Sequence, residues 1–299
     1  VAEERVSRAQ IRLAVLVAAV AAAMTLYRLV YLGGFDQTAA LFVGLPSVLA
    51  VVVALTPRAG SATGMALKAT TILLLLSGPV LQEGFVCILF AAPLFYVVAI
   101  LIGTTVDVFR QWRRGRGART YSLVVLPVLL GLASLEGVTG STTFSRGQEV
   151  TASRVVPAPP GAVAHAMAAA PRFDAPLPRL LRLGFPRPVA AAGAGLAVGD
   201  SRAIVFESRM GRREVVFVVA ERRRGFVRFR ALGDRTPIAR WLGWREAVVR
   251  WRAVARGRTR VTWTLRFTRE LDPAWYFGPW ERYGARTAAA YLIDALATP

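Results

Sequence analysis

The apolar and polar positions divide the chain into two halves of different kind. Up to about residue 139 the apolar residues run in long stretches, about 11–32, 38–56, 62–81, 85–109 and 120–137. Each is close to the roughly 20 residues that a helix needs to cross the hydrocarbon core of a bilayer. Connections such as Gly33-Gly34-Phe35-Asp36-Gln37 are short enough for hairpins between neighbouring spans. Pro46, Pro79, Pro93 and Pro127 lie inside these stretches. Packed transmembrane helices tolerate proline because their neighbours satisfy the freed carbonyls. The pattern predicts an α-helical transmembrane bundle of about five spans over residues 1–139, in which Lys68, early in the third stretch, has to snorkel.

From about residue 147 the period shortens to two, with turn residues between the runs. Strands are expected at about Gln148–Pro157, Ser201–Arg209, Arg213–Glu221, Gly225–Leu232, Trp244–Ala255 and Arg258–Glu270. Val150, Ala152, Arg154 and Val156 share one face of the first. Ala247, Val249, Trp251 and Ala253 share one face of the fifth, and Val261, Trp263, Leu265 and Phe267 one face of the sixth. Met210-Gly211-Arg212 and Arg256-Gly257 read as hairpin turns, which makes the sheet mainly antiparallel. Pro159-Pro160 opens an Ala-rich helix to about Ala170, and a short helix is expected at about Pro176–Leu183. A Gly/Ala-rich loop then runs to Gly199. The chain ends in a long helix, about 274–297, with Asp272-Pro273 as cap and first turn. Trp280, Tyr283, Thr287, Tyr291 and Ala295 form one stripe along it. Residues 140–299 are therefore predicted to be an α+β domain, an antiparallel sheet wrapped around a long C-terminal helix.

Charge separates the halves further. Residues 1–139 hold 11 Lys+Arg against 6 Asp+Glu, and residues 140–299 hold 27 Arg, no Lys and 12 Asp+Glu. The second half thus carries a net +15, which favours anionic partners such as lipid headgroups. The basic residues of the first half cluster before the first stretch (Arg5, Arg8, Arg12), around the second connection (Arg58, Lys68) and before the fifth stretch (Arg110–Arg119). Five spans with the N-terminus inside put all three on the cytoplasmic side. A multi-pass protein of the cytoplasmic membrane with an extracytoplasmic C-terminal domain follows. The first stretch also reads as a secretory signal peptide ending at Ala21-Ala22-Ala23; cleavage there would leave the C-terminal domain on the same side. Arg28, Glu83, Asp107 and Glu136 lie near span ends, where snorkelling accounts for a charge. No acid–base relay with helical spacing joins them, so a pump or channel is not supported.

The order of strand, two helices, antiparallel strands and long C-terminal helix resembles the helix-grip domain of the START and polyketide cyclase/dehydrase superfamily, SRPBCC. The residues carrying the resemblance are Val155–Pro160 entering the first helix, Val198–Arg202 opening the second strand and Thr259–Leu265 in the last. It covers about residues 147–297, and His165 stands where relatives often place a Trp. The superfamily implies a curved sheet gripping the last helix around a cavity for lipids, sterols, polyketides or similar molecules. It does not specify one reaction.

Candidate chemistry is sparse. One cysteine (Cys87) excludes an intrachain disulfide and a thiolate metal cluster, and around the one histidine (His165) the spacing of neither a Ser-His-Asp triad nor a multi-His metal site is found. Glu207, Glu246 and Asp294 are the carboxylates that could act as a general base in a pocket. Gly193-Ala194-Gly195 lacks the strand, Gly-rich loop and helix order of a dinucleotide site, and is read as a flexible loop near the cavity mouth; no cofactor is expected. The cavity candidates are Val249, Trp251, Trp263, Leu265 and Phe267 on the sheet, with Tyr283, Thr287 and Tyr291 on the helix. Six of the seven Trp lie between residues 241 and 280, among arginines. Trp275, Phe277, Trp280 and Arg282 are candidates for a membrane interface, the alternative being that the aromatics cap the domain's own core. Expected partners are membrane lipids and a hydrophobic small molecule; nucleic acid is not expected outside the cytoplasm. The function expected is a membrane-anchored, lipid-binding helix-grip domain. A cyclase/dehydratase-type enzyme and an interaction module with a filled cavity remain the alternatives.

Reporter fusions after residue 115 should report a cytoplasmic position, and fusions after residue 145 an exported one. A cytoplasmic signal at both would remove the fifth span.

Overall fold

The computed structural model describes residues 7–31, 44–81, 85–113, 136, 144–182, 185–208 and 211–297. The chain forms two compact units, residues 1–133 and 134–299. The fifth expected span, apart from Glu136, the 33–37 connection and Glu83 lie outside the described residues.

The first unit contains helices α1 (Arg8–Tyr31), α2 (Leu45–Leu55), α3 (Ala62–Leu81) and α4 (Phe85–Arg113). Pro46 falls in the first turn of α2, where its missing N–H has no intrahelical partner to lose. Two charges expected to snorkel instead cap neighbouring helices. Lys68 Nζ donates to the carbonyls of Ala54 (3.1 Å) and Thr56 (2.7 Å) at the C-terminal end of α2. Asp107 of α4 accepts the N–H groups of Ala62 (2.7 Å) and Thr63 (2.9 Å) and the Thr63 hydroxyl (2.8 Å) at the start of α3. Both satisfy backbone groups that a helix end leaves unpaired.

Among the described residues, helix length does not support five spans. Among the described residues one helix, Cys87–Arg113, is long and apolar enough to cross a membrane; Leu45–Leu55 and Ala62–Gly78 are apolar but shorter.

The second unit is one antiparallel sheet of seven strands, in the order β1-β7-β6-β5-β4-β3-β2. The strands are β1 (Gly147–Val156), β2 (Arg187–Ala192), β3 (Ser201–Ser208), β4 (Gly211–Arg223), β5 (Phe226–Asp234), β6 (Leu242–Ala255) and β7 (Arg258–Arg269). Helices α5 (Pro160–Ala168) and α6 (Arg179–Arg182) follow β1, and α7 (Ala274–Ala297) ends the unit. Long Cβ-branched and aromatic runs make β4, β6 and β7, where alternate side chains bury one face. In β7 those are Val261, Trp263, Leu265 and Phe267, all at most 8% exposed. Register shifts at Trp244/Glu246 and Val219/Glu221 bend the sheet. Helix α7 packs on β1 and β7. An antiparallel sheet holding a long C-terminal helix on one face is the helix-grip architecture.

Three local expectations are corrected. Residues 187–192, expected as loop, form the edge strand β2; alanines give little strand signal, and Pro188 is tolerated at an edge. The stripe Trp280, Tyr283, Thr287 is not the buried face of α7: Tyr283 is 56% exposed and Trp280 41%. The buried face is Phe277, Glu281, Ala285, Ala289 and Ile293, four residues apart, because small alanines let the helix approach the sheet. Finally, Asp272 does not cap α7. Its carboxylate pairs with Arg146 (2.5 Å) and Arg269 (2.5 Å), and the first α7 amide, Ala274 N–H, donates to Glu136 (2.6 Å). Glu136 also pairs with the fully buried Arg269 at 2.8 Å. It is a structural charge of the second unit rather than a snorkelling span residue.

Beside this cluster Glu281 is 3% exposed, and neither of its carboxylate oxygens makes a hydrogen bond of good geometry. Burial pushes its carboxyl up to about 7, opposed by the Leu271 N–H and the Arg269 guanidinium and reinforced by Asp272 and Glu270. A carboxyl with a raised folded-state pKa favours folding most below its unfolded value of 4.5. Stability then falls as the pH rises towards about 7, because the unfolded chain sheds a proton that the folded one keeps. Glu281→Gln should flatten this fall, so that its gain in thermal stability over wild type is larger at pH 8 than at pH 5. An equal gain at both would show that Glu281 ionises normally.

Candidate ligand-binding cavity

Because α7 covers the β1–β7 side of the sheet, another element has to cover the β3–β5 side. The connection from Pro171 to Pro188 does so. It is rich in proline, which removes backbone donors and disfavours regular helix or sheet, and its apolar side chains, Phe173, Leu177, Leu181 and Phe185 among them, face the strands across a gap. The result is a cavity of about 140 Å³. Its floor is Ile204 and Phe206 of β3, Val215 and Phe217 of β4, Phe229 of β5, Trp244 and Ala247 of β6, and Trp263 and Leu265 of β7. Ala288, Tyr291 and Leu292 of α7 form one wall.

Of the expected cavity residues, the structure places Trp263, Leu265 and Tyr291 on the lining. Val249, Trp251 and Phe267 are packed in the core. Trp251 lies under the Arg222 guanidinium (4.9 Å to the ring centre) and Phe267 against Trp244 (6.1 Å between rings). Thr287 is half-buried and returns its hydroxyl to the Tyr283 carbonyl. Tyr283 points outward. These departures follow from the rotation of the α7 stripe and from the cavity reaching only the Trp244–Ala247 part of β6 and the Trp263–Leu265 part of β7.

The carboxylates considered as general bases do not reach the cavity. Glu207 pairs with Arg212 (3.6 Å) and Glu246 with Arg266 (3.1 Å), while Asp294 pairs with Arg154 (2.8 Å). His165 is exposed on α5. Among the described lining residues the side chains with polar atoms are Arg202, Tyr291 and the two tryptophans. The Tyr291 hydroxyl donates to the Ala175 carbonyl at 3.1 Å, tying α7 to the covering connection. Among the described residues no group of His, Cys, Asp and Glu could hold a metal ion.

Arg202 is the residue that the sequence reading missed. It sits at the start of β3, 8% exposed, beneath the apolar connection. Its Nη2 donates to the Met167 carbonyl (2.8 Å) and more weakly to that of Gly195 (3.4 Å), and its guanidinium lies over the Phe229 ring at 5.3 Å. Gly195 takes φ +97°, and a Cβ there would fall 2.1 Å from the Asp200 carboxylate. Only glycine therefore lets the 193–200 loop present that carbonyl. Burial lowers the Arg202 pKa from its usual value, and nearby Asp200 partly restores it. No signal in the sequence separates Arg202 from the 26 other arginines of residues 140–299.

Of the membrane-interface candidates, Trp275 (49%), Trp280 (41%) and Arg282 are exposed, and Arg282 donates to Gln148 at 3.0 Å. Phe277 is only 8% exposed and belongs to the core face of α7, which corrects its assignment to the interface.

No protein-family model and no curated protein matches the chain. Several solved structures are similar to it over half its length. A START superfamily protein from Mycobacterium smegmatis is 11% identical, covering 50% of this chain and 94% of its own, with a TM-score of 0.36. The Zhui aromatase/cyclase from Streptomyces sp. R1128 is 17% identical, covering 50% and 92%, with a TM-score of 0.33. Norcoclaurine synthase from Thalictrum flavum, in complex with dopamine and hydroxybenzaldehyde, is 9% identical, covering 50% and 84%, with a TM-score of 0.35. Likenesses this remote do not extend to function, and the helix-grip assignment rests on the topology described above.

Proposed function

We propose that the second unit is a binding domain for a hydrophobic or amphipathic small molecule, held at a membrane by the first unit. The observation that carries the binding role is the cavity itself, a concave, almost wholly apolar space between sheet, helix and connection with few polar groups, as small-molecule sites are built. Its volume matches the engineered apolar cavities of about 150 Å³ that take up benzene, so at least a ring-sized apolar group fits. A lining without a free carboxylate or imidazole favours binding over cyclase or dehydratase chemistry, which needs a placed acid or base.

Membrane anchoring is supported by the outward faces of the first unit. Val15, Leu16, Leu73, Phe95 and Ile102 are each more than half exposed, on different helices, and apolar surface of that extent suits lipid. The reading of an extracytoplasmic, lipid-facing domain draws further support from the positive loops of the first half and the net +15 of the second.

Ala288→Phe should fill the cavity. Mass spectrometry of material co-purifying with the full chain should find an apolar small molecule with wild type and lose it with the variant, while thermal unfolding stays cooperative. A molecule retained equally by both would place binding elsewhere. The second unit excised as residues 134–299, which keeps Glu136, should bind anionic vesicles more tightly than neutral ones, and less as salt rises. Trp275→Ala with Trp280→Ala should weaken that binding at low salt; equal binding to neutral and anionic vesicles would sink the lipid-facing role.

A further inference from the structure

Positive charge is not spread evenly over the sheet. On β6 and β7, Arg250, Arg252 and Arg260 alternate with the buried Val249, Trp251 and Val261, so they project from the face opposite α7. Other arginines of that outer face are answered by acids. Arg266 pairs with Glu149 and Glu246, and Glu221 holds Arg223 and Arg228. Towards the β4–β5 and β6–β7 turns the acids run out. Arg224 and Arg256 in the turns, with Arg250, Arg252, Arg258 and Arg260 on the adjoining strands, are all exposed, and among the described residues none of the six forms an ion pair. The Trp251 N–H donates to the Gly225 carbonyl at 2.8 Å, which brings the β4–β5 turn beside the β6 arginines. Arg252 and Arg260 stand directly opposite each other across the strands, and like charges so placed weaken a sheet. Mutually repelling cations with no acid of their own call for an anion outside the unit.

Resting on the membrane-anchored reading above, we propose that this end of the sheet docks on an anionic phospholipid surface, and on a different surface from the one that α7 faces. Phospholipid fits better than single-stranded nucleic acid. Val155 (39%) and Val254 (43%) are exposed at this end, Val155 in register with Arg260, and apolar side chains among arginines suit the headgroup region of a bilayer. Nucleic acid would instead need open rings on which bases stack. The rings here are already taken, Phe226 by Arg223 and Arg250, and Trp251 by Arg222. The need for a second surface is geometric. Helix α7 begins at the far end of β7, whose 12 residues span about 35 Å, and it packs on the inner face. Trp275 and Trp280 therefore lie on the side of the unit opposite Arg250, Arg252 and Arg260. One flat bilayer cannot receive both sets, so the second unit bridges two lipid surfaces.

The test reconstitutes the full chain into phosphatidylcholine vesicles and measures their capture of added fluorescent vesicles, made of phosphatidylcholine alone or mixed with phosphatidylglycerol. Wild type should capture the anionic vesicles and not the neutral ones, and less as salt rises. An arginine at an anionic surface contributes about fivefold in affinity, so Arg250→Gln, Arg252→Gln, Arg258→Gln and Arg260→Gln together should weaken capture by about a hundredfold or more. Arg212→Gln, Arg213→Gln, Arg235→Gln and Arg245→Gln together remove the same charge from exposed positions at the other end of the sheet and should leave capture unchanged. Val254→Asp, a single change at the exposed hairpin, should also weaken it. Equal loss in the two fourfold variants would overturn the proposal, since net charge and not this end would then be responsible. Wild type that stays with its own vesicles through an alkaline wash but captures none would overturn the second surface and leave anchoring intact. A chain washed off its own vesicles would overturn the anchoring reading and the proposal with it. Binding of a single-stranded oligonucleotide in place of anionic vesicles would overturn the lipid assignment.

Discussion

The second unit depends on how much of one sheet face a single helix can cover. Seven antiparallel strands present an inner face wider than one helix. The alanines at 285 and 289, at most 2% exposed, let α7 approach closely, but only over β1 and β7. The rest of the face must be shielded by chain that is neither helix nor strand over most of its length. Protein interiors pack densely when regular elements interdigitate. A proline-rich connection cannot follow the pleat in that way, and it leaves space. The cavity is thus a consequence of covering one broad sheet with two unlike elements.

The same unit handles its buried charges in two ways. At the β7–α7 junction, Arg269 and Arg146 pair with Glu136 and Asp272, and Glu136 caps the helix, while Arg269 Nε is left without a partner. Breaking such a buried pair by removing one partner costs about 3–5 kcal/mol, so Glu136, far away in sequence, is an integral part of the fold. At the cavity, Arg202 forms no ion pair among the described residues and gives its Nη2 to the Met167 and Gly195 carbonyls.

In the first unit polar groups inside apolar helices serve the helices themselves. Lys68 and Asp107 close the ends of α2 and α3 across helix–helix contacts. Gly103 lies where a Cβ would sit 2.3 Å from the Thr63 backbone, so α3 and α4 approach each other closely beside that cap. A charge in an apolar helix need not signal transport when its partner is an unpaired backbone end.

Most of the element order was legible in residue pattern alone. Period-two alternation located β1 and β3 to β7 within a few residues, and the apolar stretches located α1, α3 and α4. Those signals are local: a strand or helix writes its buried face into its own sequence. The alanine strand β2 was not legible, since its pairing with β3 comes from the partner and not from its own propensity. The site was legible only in part. Trp263, Leu265 and Tyr291 could be taken from alternation and helical spacing, but the rotation of α7 by which Glu281 rather than Tyr283 turns inward is decided by which helix face fits the sheet. Which of many arginines is buried, and which of those lacks an acid, is decided by chain segments up to 133 residues apart meeting at one point. Local pattern reports which residues want burial; only the tertiary structure decides what they meet once buried, because the partners of a buried charge are set by packing and not by neighbours in sequence.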